Sequence, residues 1–233
     1  MRTINGIALA LCLAPWVAQA EPGWKGEAEV GFVSTGGNSE TTTLNLKAKV
    51  TQEINGWQNK AKAEVLNASN QGATSAERYA AQFQTRRELS DKSYVYALID
   101  GVHDRFSGIP YLLSESVGYG RKLYGGERFD LGGEIGLGAR QSKERGQDVA
   151  NDAVLRLGAN ATYALSDTAK LTEELSVEAG QDNTISKSVT ALSAQVMNDL
   201  AMKLSFTIQN IATVPAGSKN TDYETAVTLV YSF

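Results

Sequence analysis

The one histidine of the chain, His103, lies in the run Asp100-Gly101-Val102-His103-Asp104-Arg105-Phe106-Ser107. An imidazole with a carboxylate and a hydroxyl close by can act as a base for hydrolysis, so His103, Asp104 and Ser107 are the catalytic candidates. The plainer reading is a side chain hydrogen-bonded within the loop Asp104–Tyr111, and both readings stay open here. A larger set of charges recurs at every second position: Lys47, Lys49, Lys60, Lys62, Glu64, Arg86, Glu134, Arg140, Arg156, Glu174, Glu178 and Lys203. Lys25, Glu27, Glu29, Asp130 and Glu224 follow the same spacing. Interspersed charges of both signs on one face suit a wet lumen that passes small solutes. The same charges could instead pair and glue an interior shut. Lys47, Lys49, Lys60, Lys62 and Arg86 form a basic cluster with the later acids beyond it, which would set a field across such a lumen.

Other chemistry is thinly supported. Cys12 is the only cysteine and falls in the leader described below, which leaves no thiolate or Cys ligand. One histidine without cysteine makes a transition-metal site unexpected, so the metal expectation is none. Gly118, Gly120, Gly132, Gly133, Gly136 and Gly138 crowd one region, but no GxGxxG follows a strand and opens a helix. No nucleotide or other cofactor is expected. These glycines read as bends or close backbone approaches, with room for an outside loop to fold inward.

The elements that must hold these charges are strands. The chain opens MRTINGIALALCLAPWVAQA, with Arg2, an apolar run from Ile7 to Leu13 and the small-residue site Ala18-Gln19-Ala20. That pattern predicts a signal peptide over 1–20, cleaved before Glu21, with one domain over 21–233. Without Arg2 the net charge becomes (22 − 1) − 26 = −5, which argues against nucleic acid as a partner.

Beyond the leader, apolar residues alternate with polar ones in segment after segment. The last segment, TDYETAVTLVYSF, alternates Tyr223, Thr225, Val227, Leu229 and Tyr231 against Glu224, Ala226, Thr228 and Ser232, with Val230 as the misfit. About twelve such strands are expected, with uncertain facings near 94–103, 112–123 and 188–196. Short connections (Asn55-Gly56, Ser90–Lys92, Tyr124–Arg128, Ser166–Ala169, Met197–Asp199) alternate with longer polar ones. The longer set is Thr35–Thr41, Asn70–Glu77, Asp104–Tyr111, Ser142–Asn151, Gln181–Lys187 and Ile211–Asn220. That rhythm belongs to an antiparallel up-and-down transmembrane β-barrel, closed by its first and last strands, with both ends in the periplasm. Trp24, Trp57, Tyr94, Tyr124, Phe129, Tyr163, Tyr231 and Phe233 fall at the short-turn ends, and Phe32, Tyr79, Tyr111, Phe206 and Tyr223 at the long-loop ends. Two aromatic girdles are expected at the two membrane interfaces. Lys143, Arg145, Lys187 and Lys219 fall on outside loops, where they could meet lipopolysaccharide phosphates.

The motifs Gly36-Gly37-Asn38 with Thr41-Thr42-Thr43, Asp104-Arg105-Phe106-Ser107-Gly108, Gly118-Tyr119-Gly120, Val214-Pro215-Ala216-Gly217 before Thr221-Asp222, and the ending Leu229-Val230-Tyr231-Ser232-Phe233 resemble the YdiY-like salt-induced outer-membrane proteins. Tyr223 stands where a family Thr commonly follows. The resemblance implies a bacterial outer-membrane barrel inserted by the barrel-assembly machinery, which reads the terminal strand through Tyr231 and Phe233. It implies no catalytic residue. The leading expectation is a non-enzymatic narrow channel or envelope-structural, stress-related protein. The alternative is a rim hydrolase acting on lipid or peptide through His103. The solute and the oligomeric state are not legible.

Overall fold

The computed structural model describes residues 23–35, 41–107, 109–144, 146–214, 217 and 219–233. The expected leader, the glycines at 36 and 37, and Arg145 lie outside the described residues. Twelve strands follow one another: β1 (Trp24–Thr35), β2 (Thr41–Ile54), β3 (Trp57–Asn70), β4 (Ala73–Ser90), β5 (Ser93–Asp104), β6 (Tyr111–Gly125), β7 (Phe129–Lys143), β8 (Val149–Ala164), β9 (Ala169–Gly180), β10 (Thr184–Met197), β11 (Leu200–Ile211) and β12 (Thr221–Ser232). Each pairs antiparallel with its neighbours in sequence, and β1 pairs with β12, so the sheet closes into a barrel. At about 3.3 Å per residue and a tilt near 45°, twelve residues span the hydrocarbon of an outer membrane with some to spare.

The period of two sorts the side chains. Val30, Phe83, Ile99, Leu137, Leu157, Leu204 and Val227 are exposed outward. Trp24, Trp57, Tyr124, Tyr163, Tyr231 and Phe233 form a girdle at the short-turn end, and Phe32, Tyr79, Tyr111, Phe206 and Tyr223 form another at the opposite end. Ring contacts knit the girdles: Phe129 lies 5.7 Å from Tyr124 and 6.4 Å from Tyr163, and Phe206 stacks on Tyr223 at 6.2 Å.

Three sequence expectations change. The loop expected at Asn70–Glu77 is a tight turn, because Gln71 (φ 49°) and Gly72 (φ 76°) are both left-handed, as in a type I′ hairpin. Asn55 and Gly56 repeat that geometry where Asn-Gly predicts it. The loop expected at Gln181–Lys187 also shrinks, so Lys187 sits inside β10, on the lumen face beside Ser176 and Gln209. Tyr94 leaves the girdle for the lumen, where its hydroxyl donates to Glu134 at 2.9 Å. Val230 keeps the face its alternation gives it, apolar among polar neighbours: it points into the lumen and is buried.

The unresolved facings settle through register. On β5, Tyr94, Tyr96 and Leu98 point inward and Val95 and Ile99 outward. On β6, Leu112, Ser114 and Ser116 share the inward face with Gly118 and Gly120. β10 turns Ser186, Ser188 and Thr190 outward. That explains Glu173, an acid on the outward face of β9: the hydroxyls of Ser188 and Thr190 donate to its two oxygens at 2.6 and 2.5 Å.

The closing seam differs from the rest. Every other strand pair runs for eleven to fifteen residue pairs. β1 and β12 pair at four, from Glu27↔Ser232 to Val30↔Leu229. Below them Phe233 extends the ladder, exchanging backbone hydrogen bonds with Gly26 at 2.8 and 3.0 Å. An added Cβ on Gly26 would overlap the Phe233 ring, so glycine lets the terminal aromatic lie flat on the seam.

Candidate functional site

The lumen face concentrates ionisable groups. All twelve alternating charges, from Lys47 to Lys203, lie on its face. The register adds further charges to that face, Arg78, Asp100, Asp152 and Lys187 among them. Arg78 shares the parity of Gln82, Gln84 and Arg86, a signal hidden because β4 was expected to start later. Asp100 sits on the doubly apolar β5, and Asp152 at the edge of an expected loop.

The charges are joined from strand to strand, mostly between near neighbours and once across the barrel. Lys62 Nζ donates to Glu174 Oε2 at 3.0 Å. β3 and β9 stand six places apart in a ring of twelve, so this pair crosses the diameter. Glu134 on β7 is a hub: Gln84 donates from β4 at 3.1 Å, Tyr94 from β5 and Arg156 from β8 at 2.8 Å. Arg78 bridges Glu64 and Glu224, the latter at 2.5 Å, and so ties β3 and β4 to β12. Lys203 reaches Glu29 at 2.8 Å, and Lys49 reaches Glu27 at 2.9 Å.

These links differ in wetness. The Glu174 side chain is 61% exposed, so water reaches the cross-diameter pair. Arg140 is the opposite case. At 2% exposure it donates to Asp152 Oδ2 at 3.1 Å, to the Glu178 carbonyl at 3.2 Å and to the Asn183 carbonyl at 2.6 Å. Asp152 in turn accepts from the Gln181 and Asp182 amides, and Asn183 exchanges two hydrogen bonds with the Thr213 backbone. One guanidinium thus fastens the β9–β10 turn to the rim. A buried charge needs this many partners, since each missing one costs desolvation without return.

On the basic wall, Lys60 and Arg86 make no ion pair among the described residues. Arg86 lies over the Tyr94 ring at 4.8 Å, and its Nε is buried without a hydrogen-bond partner. Near them the short-turn mouth holds a cavity of about 520 Å³ lined by Lys25, Glu27, Lys49, Lys60 and Asp199 among others. That entrance carries both signs, with Lys25, Lys49 and Lys60 beside Glu27, Glu53 and Asp199.

The glycines admit the tyrosines rather than an outside loop. An added Cβ on Gly120 would overlap the Tyr94 ring, and one on Gly118 or Gly136 would come within 2.7 or 2.5 Å of the Tyr96 hydroxyl. Two bulky rings from β5 thereby lie across the bare backbone of β6 and β7, narrowing that side of the lumen.

The catalytic candidates are not brought together. His103 pairs with Tyr79 and Tyr111 on the outward face, whereas Asp104 is on the inward one. Asp104 Oδ1 accepts from the amides of Phe106 and Ser107 at 3.0 and 3.1 Å, and the Ser107 hydroxyl accepts from the Ile109 amide. Those groups build the turn. The terminal pair expected as the insertion signal, Tyr231 and Phe233, stacks at 6.2 Å on the outside. Lys143 and Lys219 are exposed at the loop end. Among the described residues no cluster of three or more potential ligands could hold a metal.

A family model described as "Protein of unknown function, DUF481" matches residues 28–233. An uncharacterized protein, YdiY of Escherichia coli (strain K12), is 28% identical over 223 residues, covering 92% of this chain and 85% of its own. Among solved structures, the NanC porin superposes with a TM-score of 0.54 at 14% identity, over 88% of this chain and 98% of that one. The translocator domain of the autotransporter NalP from Neisseria meningitidis gives 0.55 at 15% identity, over 91% and 89%. Both likenesses show the fold, an outer-membrane barrel.

Proposed function

This chain belongs to the DUF481 family, and from that premise and the lumen geometry we propose that it is a non-enzymatic, narrow channel of the bacterial outer membrane. The observation that carries the reading is the Lys62–Glu174 pair, which crosses the barrel yet stays in water. A dry, buried pair braces a wall; a wet one costs little to part, because solvent and salt already screen it. Such a bar admits small solutes while opposing large ones. The basic wall at Lys49, Lys60, Lys62 and Arg86 and the acids at Glu134, Glu174 and Glu178 let either ion sign find counter-charges along its path. The chain would be exported through its cleaved leader and inserted by the barrel-assembly machinery through Tyr231 and Phe233. Lys143 and Lys219 would meet the phosphates of lipopolysaccharide.

Recording from the purified barrel in planar lipid bilayers tests this. Small, discrete conductance is expected. Lys62→Ala should raise it and shift selectivity toward cations, since Glu174 is left unopposed. Glu174→Ala should raise it and shift selectivity toward anions, since Lys49, Lys60 and Lys62 then dominate. A folded barrel that stays electrically silent in all three forms removes the channel and leaves an envelope-structural role.

A further inference from the structure

The incomplete β1–β12 seam leaves a slot through the wall. Above Val30 and Leu229 the two strands no longer pair, although β1 continues to Thr35 and β12 begins at Thr221. The gap is not wide at its base, where an added Cβ on Gly31 would come within 2.9 Å of the Val227 carbonyl. Beyond that point a cavity of about 300 Å³ opens. Its walls come from both faces of the sheet: Phe32 and Tyr223 from the outward girdle, and Thr43, Asn45, Leu66 and Ala68 from the lumen. A cavity with walls of both kinds joins the outer leaflet to the barrel interior. Its volume is at the lower end of the range for small-molecule sites.

The chemistry of the slot is amphipathic, and its one charged wall residue, Glu224, is held by Arg78. Leu66, Ala68 and the outward aromatics offer apolar contact. Asn45 is 4% exposed, and its side-chain oxygen is buried without a hydrogen-bond partner. A buried acceptor left without a protein donor costs free energy, so a ligand that brings a donor gains affinity here. Bare strand edges in hydrocarbon raise the same demand for hydrogen bonds. A pure hydrocarbon could fill the volume but not meet the acceptor. A polar solute could meet the acceptor from the lumen but would leave the apolar walls uncovered.

We propose that this slot is a lateral binding port for a single-chain amphipath whose head group donates a hydrogen bond, such as a long-chain alcohol or amide, with the head on Asn45 and the chain passing between β1 and β12 into the outer leaflet. The port is independent of whether the lumen conducts ions. A second strand laid along the bare edge would be the rival occupant, but it would leave the Asn45 oxygen unanswered and the apolar lumen patch unfilled.

The full-length barrel, folded in phospholipid bilayers, is exposed to a photoactivatable dodecanol and, separately, to the matching dodecane, and adducts are mapped by mass spectrometry. The alcohol should label Thr43, Leu66 and Ala68 inside the barrel as well as Phe32 and Tyr223 outside. Lumen residues of the far wall, Ser176 and Val189, should stay unlabelled. Asn45→Leu should lower inside labelling by the alcohol about fivefold, the weight of one hydrogen bond, while leaving the dodecane pattern unchanged. Ala68→Phe, which fills the slot and keeps the Asn45 side chain, should suppress inside labelling by both probes. Outward labelling alone overturns the proposal, as does inside labelling that is equal on both walls. Loss of the Phe32 and Tyr223 adducts because a second copy covers the seam overturns it too.

Discussion

Replacing Arg140 by Met tests how the outer rim is held. Methionine keeps the length and apolar stem but removes the donors that reach Asp152, the Glu178 carbonyl and the Asn183 carbonyl. The Asp152 side chain is 7% exposed and would retain the Gln181 amide at 2.9 Å and the Asp182 amide at 3.4 Å. Removing one partner of a buried pair costs about 3–5 kcal/mol, and the two surviving amides place this case at about 3. Removing both charges together, Arg140→Met with Asp152→Asn, should return about 2 kcal/mol, because the neutral amide no longer needs a counter-charge. Urea unfolding of the lipid-folded barrel, followed by Trp24 and Trp57 fluorescence, measures this. Both tryptophans lie in the opposite girdle, so their signal reports unfolding of the barrel and not local rearrangement of the rim. A loss below about 1 kcal/mol, or a double variant no more stable than the single, would refute the role given to this guanidinium.

Three further outcomes follow from the same geometry. Gly180→Ala places a Cβ onto the Asp152 carboxylate and 3.0 Å from Arg140 Nη2, so it should cost about 2 kcal/mol by urea unfolding and add little to Arg140→Met. Gly120→Ala should push the Tyr94 ring off the β6 backbone and break its bond to Glu134, with a changed near-ultraviolet circular dichroism signal and a loss of about 1–3 kcal/mol. Raising salt from 0.1 to 1 M shortens the screening length from about 10 to about 3 Å, so conductance should rise more steeply than bulk conductivity. That excess should vanish in Glu174→Ala.

Closure itself was readable in the chain because it rests on local rules. A two-residue period says which side chains share a face, and Asn55-Gly56 says where the chain reverses. The reading failed where those rules fell silent. Gln71-Gly72 carries no strong hairpin signature, so a tight turn passed for a loop. β5 is apolar on both faces, so Tyr94 passed for a girdle residue. β10 shows Ser and Thr to the outside, so its alternation was faint until the register with β9 explained Glu173.

The sequence by itself determined the twelve-strand alternation, most of the two girdles and the inner face of the strands that alternate cleanly, since each depends on neighbours a few positions apart. The tertiary structure alone decided that Lys62 meets Glu174 across the ring, that Arg140 fastens a distant turn, and that β1 and β12 part above Val30. Those outcomes depend on how far each strand is staggered when the sheet closes. Stagger is a property of the whole ring, set by the sum of all its registers, and no single segment encodes it.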